Sequence, residues 1–369
     1  MRVALMARSL RGEFTGVSRY CMELACALAP LLPDSLTILL TRAGGPFHEI
    51  EAEQVRAPFP TPNEYLRALW EQAIVPLQLR HVKPDLYHSP NYILPLAVKC
   101  PTVVTIHDLA FRDASVHRLR SHLYLTVLTE LALRKATLII CPSHYTGHEV
   151  ETTYPHTRGR VRVVGEAVSD RFRPAGPEAI ASARQWLSVD EPYVLFVGTI
   201  EPRKNLARLI RAFERAVFET GAPHHLVIAG GSGWRQAAAL AALQASHVRD
   251  RIHMAGYIPD ELLAGAYSGA DVFAYPSLSE GFGLPPLEAM ACGCPVITSN
   301  TSAIPEVVGD AAVTVDPRNE GSLTEGLSLL MTSHAMRRDL SVRGTARAAS
   351  FRWDQVARQV IDVYREAVA

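Results

Sequence analysis

Two glutamates eight residues apart, Glu280 and Glu288, bracket a glycine-rich turn in the stretch Tyr275-Pro276-Ser277-Leu278-Ser279-Glu280-Gly281-Phe282-Gly283-Leu284-Pro285-Pro286-Leu287-Glu288-Ala289-Met290-Ala291. An apolar strand pattern precedes the turn and a helix pattern follows it, with Pro285 and Pro286 at the helix start, where a missing N–H costs nothing. Glu280 then falls in the loop and Glu288 in the first helical turn with its side chain tilted back, so both carboxylates can face one pocket. Gly281 and Gly283, with Phe282 and Leu284 beside them, leave room for backbone amides to approach a ligand. The helix N-terminus offers free N–H groups and partial positive charge to an anion such as a diphosphate. A plainer reading makes Ser277 to Glu280 a capping box and Glu288 a complement to the helix dipole. Either glutamate alone fits that reading; the glycine-flanked pair between a strand and a helix points to a binding site.

A second strand, turn and helix start is Phe196-Val197-Gly198-Thr199-Ile200-Glu201-Pro202-Arg203-Lys204-Asn205-Leu206. Arg203 and Lys204 can clamp a diphosphate there, a planar fork beside a point charge, and stabilise charge on a leaving phosphate. A basic pair at a helix start is also a common surface feature, although it opposes the usual dipole preference. Ile228-Ala229-Gly230-Gly231-Ser232-Gly233-Trp234 is another strand running into a glycine loop. Thr105-Ile106-His107-Asp108 ends a strand and sets His107 at its carboxyl end, the side where α/β sheets bind ligands, though a lone histidine is more often structural. Asp85-Leu86-Tyr87-His88-Ser89-Pro90 ends a strand in the same way. Gly12-Glu13-Phe14-Thr15-Gly16-Val17-Ser18-Arg19-Tyr20 leads from the first strand into a helix, without the G-x-G-x-x-G spacing of a nicotinamide site. The other histidines, His144, His224 and His225 among them, show no convergent metal spacing, and there is no Asp-x-Asp motif. No metal and no cofactor is expected, and phosphate neutralisation falls to Arg203, Lys204 and backbone amides.

The spacing from Glu280 to Glu288 resembles the E-x7-E motif of the retaining glycosyltransferases of family 4 (GT4), which have the GT-B fold. Cys294-Pro295-Val296-Ile297-Thr298-Ser299-Asn300 and Ile304-Pro305-Glu306-Val307-Val308-Gly309 look like that family too. The resemblance implies a nucleotide-diphosphate sugar donor as co-substrate and a glycan or lipid-linked acceptor. It places Glu280 and His107 on the donor sugar, Glu288 on the ribose hydroxyls, and Arg203 and Lys204 on the phosphates. Gly16, Gly198, Gly230, Gly231, Gly281, Phe282, Gly283 and Leu284 would line the donor. It further implies that the acceptor hydroxyl attacks the face the diphosphate leaves and that the leaving phosphate takes its proton. The His107-Asp108 pair and the Gly230 to Trp234 loop resemble members that use GDP-mannose to build surface polysaccharides; a UDP-sugar donor of the glucosyl type is the alternative. A sugar-nucleotide epimerase or hydrolase, a phosphorylase and a non-catalytic sugar-nucleotide-binding protein are the rival readings.

Short β-branched runs alternating with helical patterns position these residues, which is the signature of βα units and parallel sheets. Strands are expected at Val3–Met6, Leu36–Leu40, Asp85–His88, Thr102–Ile106, Thr137–Cys141 and Val161–Val164. A second set is expected at Tyr193–Val197, His225–Ala229, Arg251–Met254, Val272–Tyr275, Pro295–Thr298 and Ala312–Val315. Between the sets, Ser169–Pro177 carries Pro174, Gly176 and Pro177 and reads as a linker. The fold class is thus α/β, two doubly wound Rossmann-like domains facing across a cleft. They are an acceptor-binding domain over 1–170 and a donor-binding domain over 171–352. An amphipathic helix over 353–369, with Val356, Val360, Ile361 and Tyr364 on one stripe, packs near the interdomain region and crosses back to the first domain.

At 369 residues the chain exceeds the size at which one core stops growing. Lys plus Arg and Asp plus Glu both total 37, which leaves no net pull toward nucleic acid. Residues 1–165 hold 18 basic and 14 acidic side chains, a local excess of +4 that suits peripheral contact with an anionic membrane or, more plainly, a solvated surface. The six cysteines show no disulfide spacing and read as reduced thiols, with Cys292-Gly293-Cys294 as small residues in a tight turn. The start of the chain runs straight into a strand without a signal-peptide pattern, and a cytoplasmic protein, peripheral at most on the inner face of a membrane, is expected.

Overall fold

The apolar runs form two all-parallel sheets in the computed structural model of the chain, which describes all residues except 8–15, 41–46, 48–49, 60–65, 67–68, 113–118, 232 and 234. The first sheet contains β1 (Val3–Ala7), β2 (Leu36–Leu40), β3 (Glu53–Arg56), β4 (Leu86–Ser89), β5 (Thr102–Thr105), β6 (Leu138–Cys141) and β7 (Val161–Val163), in the order β3-β2-β1-β4-β5-β6-β7. The second contains β8 (Tyr193–Val197), β9 (His225–Ala229), β10 (Ile252–Gly256), β11 (Val272–Tyr275), β12 (Val296–Ser299) and β13 (Val313–Val315), ordered β10-β9-β8-β11-β12-β13. Each order reverses direction once, between β1 and β4 and between β8 and β11, and such a reversal opens a crevice at the carboxyl ends of the strands.

Every described strand except β3 lies within two residues of its expected place. β3 is the edge strand beyond β2, its residues Glu53-Gln54-Val55-Arg56 exposed or half-buried, so it has no apolar run to announce it. It is joined by its backbone ladder and by the Thr37 hydroxyl, which donates to Glu53 Oε2 at 2.8 Å.

The chain divides into two units, Met1–Ala167 with Arg352–Ala369, and Val168–Phe351. The segment read as a linker belongs to the second unit: Phe172 is buried in its core, and Pro177 is the first residue of the helix Pro177–Leu187. The second unit closes where the Val168 N–H donates to the Phe351 carbonyl at 3.4 Å. The terminal helix Trp353–Val368 lies in the first unit and packs on the helix Gly16–Leu28, burying Val356, Ala357, Val360, Ile361, Val363, Tyr364 and Ala367. Burying a side chain of the Val or Ile kind is worth about 1.5–3 kcal/mol, so this stripe is enough to hold the helix in place. In the second unit the helix Leu206–Thr220 likewise buries Leu206, Leu209, Ile210, Phe213 and Val217 on one face.

Cys21, Cys141, Cys292 and Cys294 are buried free thiols, whereas Cys26 is exposed and Cys100 half-buried. Burial pushes the Cys292 thiol up to about 12. Among the described residues no helix is long and apolar enough to cross a membrane.

Candidate active site

In the second unit, the loops after β8 and β11 leave the two strands that flank the reversal, and they are stitched together. The Leu278 N–H and the Ser277 hydroxyl donate to the Arg203 carbonyl at 2.8 and 3.1 Å, and Asn205 Nδ2 donates to the Pro276 and Pro317 carbonyls at 3.1 and 2.7 Å. Asn205 adopts the left-handed conformation (φ 61°) that ends the 3-10 turn Pro202–Lys204 and starts the next helix, a conformation asparagine tolerates better than most residues. This seam puts Arg203 and Lys204 against Glu280.

Glu280 Oε1 accepts three hydrogen bonds, from Lys204 Nζ at 2.6 Å, Ser277 Oγ at 2.6 Å and Tyr275 OH at 2.9 Å. Its Oε2 accepts from Arg203 Nη1 at 2.6 Å. Lys204 Nζ also donates to the Tyr275 hydroxyl, and Arg203 pairs with Glu201 at 3.0 Å. The backbone N–H of Glu280 donates to Ser302 Oγ at 3.0 Å. Burial opposes the charged carboxylate, but Arg203 and Lys204 outweigh it and hold Glu280 down to about 2. Burial, with the like charge of Arg203, pulls Lys204 below its ordinary range. At neutral pH Glu280 is therefore a fixed anion and no proton donor, and because Oε1 is already filled, a further donor must approach Oε2.

Two plainer readings fail, and one expectation needs correction. Ser277 to Glu280 is not a capping box: the helix Leu284–Ala291 starts after Gly283 without a side-chain cap, and Ser277 Oγ bonds to the Glu280 carboxylate and the Arg203 carbonyl. Glu288 is the fifth residue of that helix, past its first turn, and it is buried, accepting at Oε2 from Tyr267 OH at 3.0 Å. Arg203 and Lys204 are not an exposed surface pair either, with side chains only 17 and 9% exposed.

The glycines differ in what they do. A Cβ on Gly230 (φ +145°) would lie 2.0 Å from the Gly198 carbonyl oxygen, so Gly230 lets the loops after β8 and β9 touch. The Gly198 N–H donates to the Ala229 carbonyl and the Ile200 N–H to the Gly231 carbonyl, which closes that contact. Gly283 (φ +123°) would drive a Cβ to 2.7 Å from Ile304 Cδ1. Gly281 and half-buried Leu284 flank the Phe282–Gly283 turn, and Phe282 packs edge-on against Phe351 as part of the core. Ser232 and Trp234 lie outside the described residues.

In the first unit His107 follows β5 and is buried, with Nδ1 3.0 Å from Glu166 Oε1 and Nε2 2.9 Å from the Pro90 carbonyl oxygen. Tyr20 sets its ring edge-on at 4.8 Å. Gly16 is exposed at the start of its helix; Gly12 to Thr15, read with it as one loop, lie outside the described residues. His88 is fully buried between Tyr364 OH and Thr105 Oγ1, and burial drives it down to about 3, so it is a neutral structural group. The described residues hold no cluster of three or more His, Cys, Asp or Glu suited to a metal.

Residues 14–172 match the model of glycosyltransferase family 4, and residues 180–347 match that of the glycosyl transferases group 1. The chain is 32% identical over 289 residues to O-antigen chain mannosyltransferase B of Escherichia coli, covering 78% of this chain and 76% of that one. It belongs to glycosyltransferase family 4. This family 4 glycosyltransferase is also 28% identical over 310 residues to the serotype-specific mannosyltransferase WbdA of Escherichia coli, a longer protein of which the match spans 38%. Its fold is that of a sucrose-phosphate synthase from Thermosynechococcus elongatus, with a TM-score of 0.76 and 23% identity over 99% of this chain and 98% of the other, which makes it a GT-B protein.

The partnered polar residues of each unit of the family 4 enzyme were only partly visible in the sequence. Glu280, Arg203, Lys204 and Glu288 stood out through their glycine and proline surroundings. Tyr275, Ser277, Tyr267 and Glu166 did not: a tyrosine at a strand end or on a helix reads as core, and Glu166 sits where no periodicity runs.

Proposed function

We propose that this enzyme transfers mannose from GDP-mannose to a growing or lipid-linked glycan of a surface polysaccharide, with retention of configuration and without a metal. One observation carries it: the buried Glu280, Lys204 and Arg203 cluster lies at the strand reversal of the second sheet, within the segment 180–347 that matches the glycosyltransferase model. The similarity to two mannosyltransferases supports mannose as the sugar.

The donor diphosphate would bind Arg203, Lys204 and the first amides of the helix Leu284–Ala291, and Glu288 the ribose. A sugar hydroxyl would donate to Glu280 Oε2, the oxygen of that carboxylate with room for it. Glu280 is too strongly held as an anion to protonate the leaving group. The acceptor proton then passes to the departing phosphate, and the cations stabilise the charge developing there. The work of the protein is orientation, electrostatics and exclusion of water from the donor. On this reading the enzyme works on the cytoplasmic side and touches the membrane peripherally through its acceptor.

A thermal-shift series with GDP, UDP and ADP, each with and without EDTA, tests the donor site, since a ligand that binds only the folded state raises the melting temperature. A GDP-selective shift indifferent to EDTA is expected. A UDP-selective shift would replace mannose with a UDP-linked sugar, and a shift that EDTA abolishes would overturn metal independence.

A further inference from the structure

Glu166 and His107 lie 59 residues apart in the chain and meet at 3.0 Å, both side chains under a tenth exposed. The second ring nitrogen faces the Pro90 carbonyl oxygen at 2.9 Å. A carbonyl has no hydrogen to give, so Nε2 must carry a proton and donate it. One proton remains between Nδ1 and Oε1, and since an ordinary imidazole is about two pH units more basic than a glutamate, it sits on the ring. The ring is then doubly protonated, and both of its N–H bonds end on acceptors of its own unit.

We infer that Glu166 is a positioning residue that holds His107 as a fixed imidazolium, so that His107 serves turnover through its charge and transfers no proton. The inference rests on the donor-site reading above for its consequence in catalysis, though not for the pair itself.

The surroundings agree. Tyr20 from the helix Gly16–Leu28 and Tyr92 after β4 meet the ring edge-on at 4.8 and 6.0 Å, which fixes its plane. The titratable groups that act on it among the described residues are Glu166, the adjacent Asp108, and His88 on β4. Burial opposes the charged ring, but the hydrogen bond and charge of Glu166, helped by the Pro90 carbonyl and Asp108, outweigh it and raise His107 above its ordinary range. His88, neutral between two hydroxyls, adds no competing cation. Glu166 and Glu280 have different partners within their own units: one carboxylate holds a histidine, the other a lysine and an arginine.

Nitrogen-15 NMR of the full chain labelled at histidine tests the pair, with the His107 signals assigned by their loss in His107→Asn. In the wild type at pH 7.5 both His107 nitrogens are expected to be protonated. In Glu166→Gln only Nε2 should be, with the titration midpoint moved down by one pH unit or more. A wild-type ring unprotonated at Nδ1 overturns the inference without recourse to a variant, as does an unchanged midpoint in Glu166→Gln. The consequence is read from kcat for GDP release from GDP-mannose against pH. The Glu166→Gln profile should lose rate at a lower pH than the wild type, and superimposable profiles would remove His107 charge from the reaction. If the wild type neither binds nor turns over GDP-mannose, the donor reading fails while the NMR result still decides the pair.

Discussion

Lys204 Nζ and Glu280 Oε1 are 2.6 Å apart across 76 residues of chain, and neither side chain is more than a tenth exposed. The contact joins the loops that leave β8 and β11, so the strand order of the sheet, and not local sequence, brings the charges together. With Arg203 and Glu201 the cluster holds two cations and two anions, and a diphosphate has to enter an already balanced network.

Glu280→Gln should lower kcat by orders of magnitude and destabilise the second unit by about 3–5 kcal/mol, because it leaves two buried cations without their shared counterion. Steady-state rates and urea unfolding at pH 7 measure the two effects. Near-normal turnover in a folded variant would remove Glu280 from the reaction.

The acid dependence of stability follows from the same carboxylate. Its folded value of about 2 lies below its ordinary 4.5, so its contribution of about 3 kcal/mol is complete above pH 4.5 and disappears as the pH falls toward 2. The stability gap between the wild type and Glu280→Gln should therefore narrow between pH 5 and pH 2.5 in urea titrations. A gap independent of pH would mean that the carboxylate is not held by its cations.

Tyr275→Phe removes the hydroxyl that accepts from Lys204 and donates to Glu280. A loss of about 1–3 kcal/mol in urea unfolding is expected, since the hydroxyl is buried within a charged network, with a drop of about tenfold in kcat/KM.

Tyr267→Phe removes the hydrogen bond that Glu288 Oε2 accepts at 3.0 Å. If Glu288 holds the ribose, the Kd for GDP should rise about fivefold to tenfold in calorimetry, matching the roughly 1 kcal/mol of an ordinary hydrogen bond. An unchanged Kd would remove Glu288 from the nucleotide.

Gly230→Ala forces a Cβ onto the Gly198 carbonyl oxygen in a backbone conformation that L-residues avoid. A cost of about 3 kcal/mol or more is expected. The exposed pair Arg162 and Glu366 provides the contrast, since Arg162→Ala should cost under about 1 kcal/mol.

Strands such as β8 and β11 were legible because a parallel sheet covered on both faces demands unbroken apolar runs, and β3 was not because an edge strand does not. The charged members of the site were legible because glycine and proline mark the turns that carry them. Tyr275 was not, because its ring belongs to the core while only its hydroxyl reaches the site. The pairing of His107 with Glu166 depends on the strand order, which sets β5 and β7 on either side of β6 and which no local pattern records.

Calorimetric titration of GDP-mannose in EDTA into the wild type and Lys204→Ala, with circular dichroism to establish that both are folded, puts the donor site to its most direct test. The expected result is one site on the wild type and affinity at least tenfold weaker in the variant; equal affinity in the two proteins, or no binding to the wild type, would contradict the assignment of the Lys204, Arg203 and Glu280 cluster to the donor.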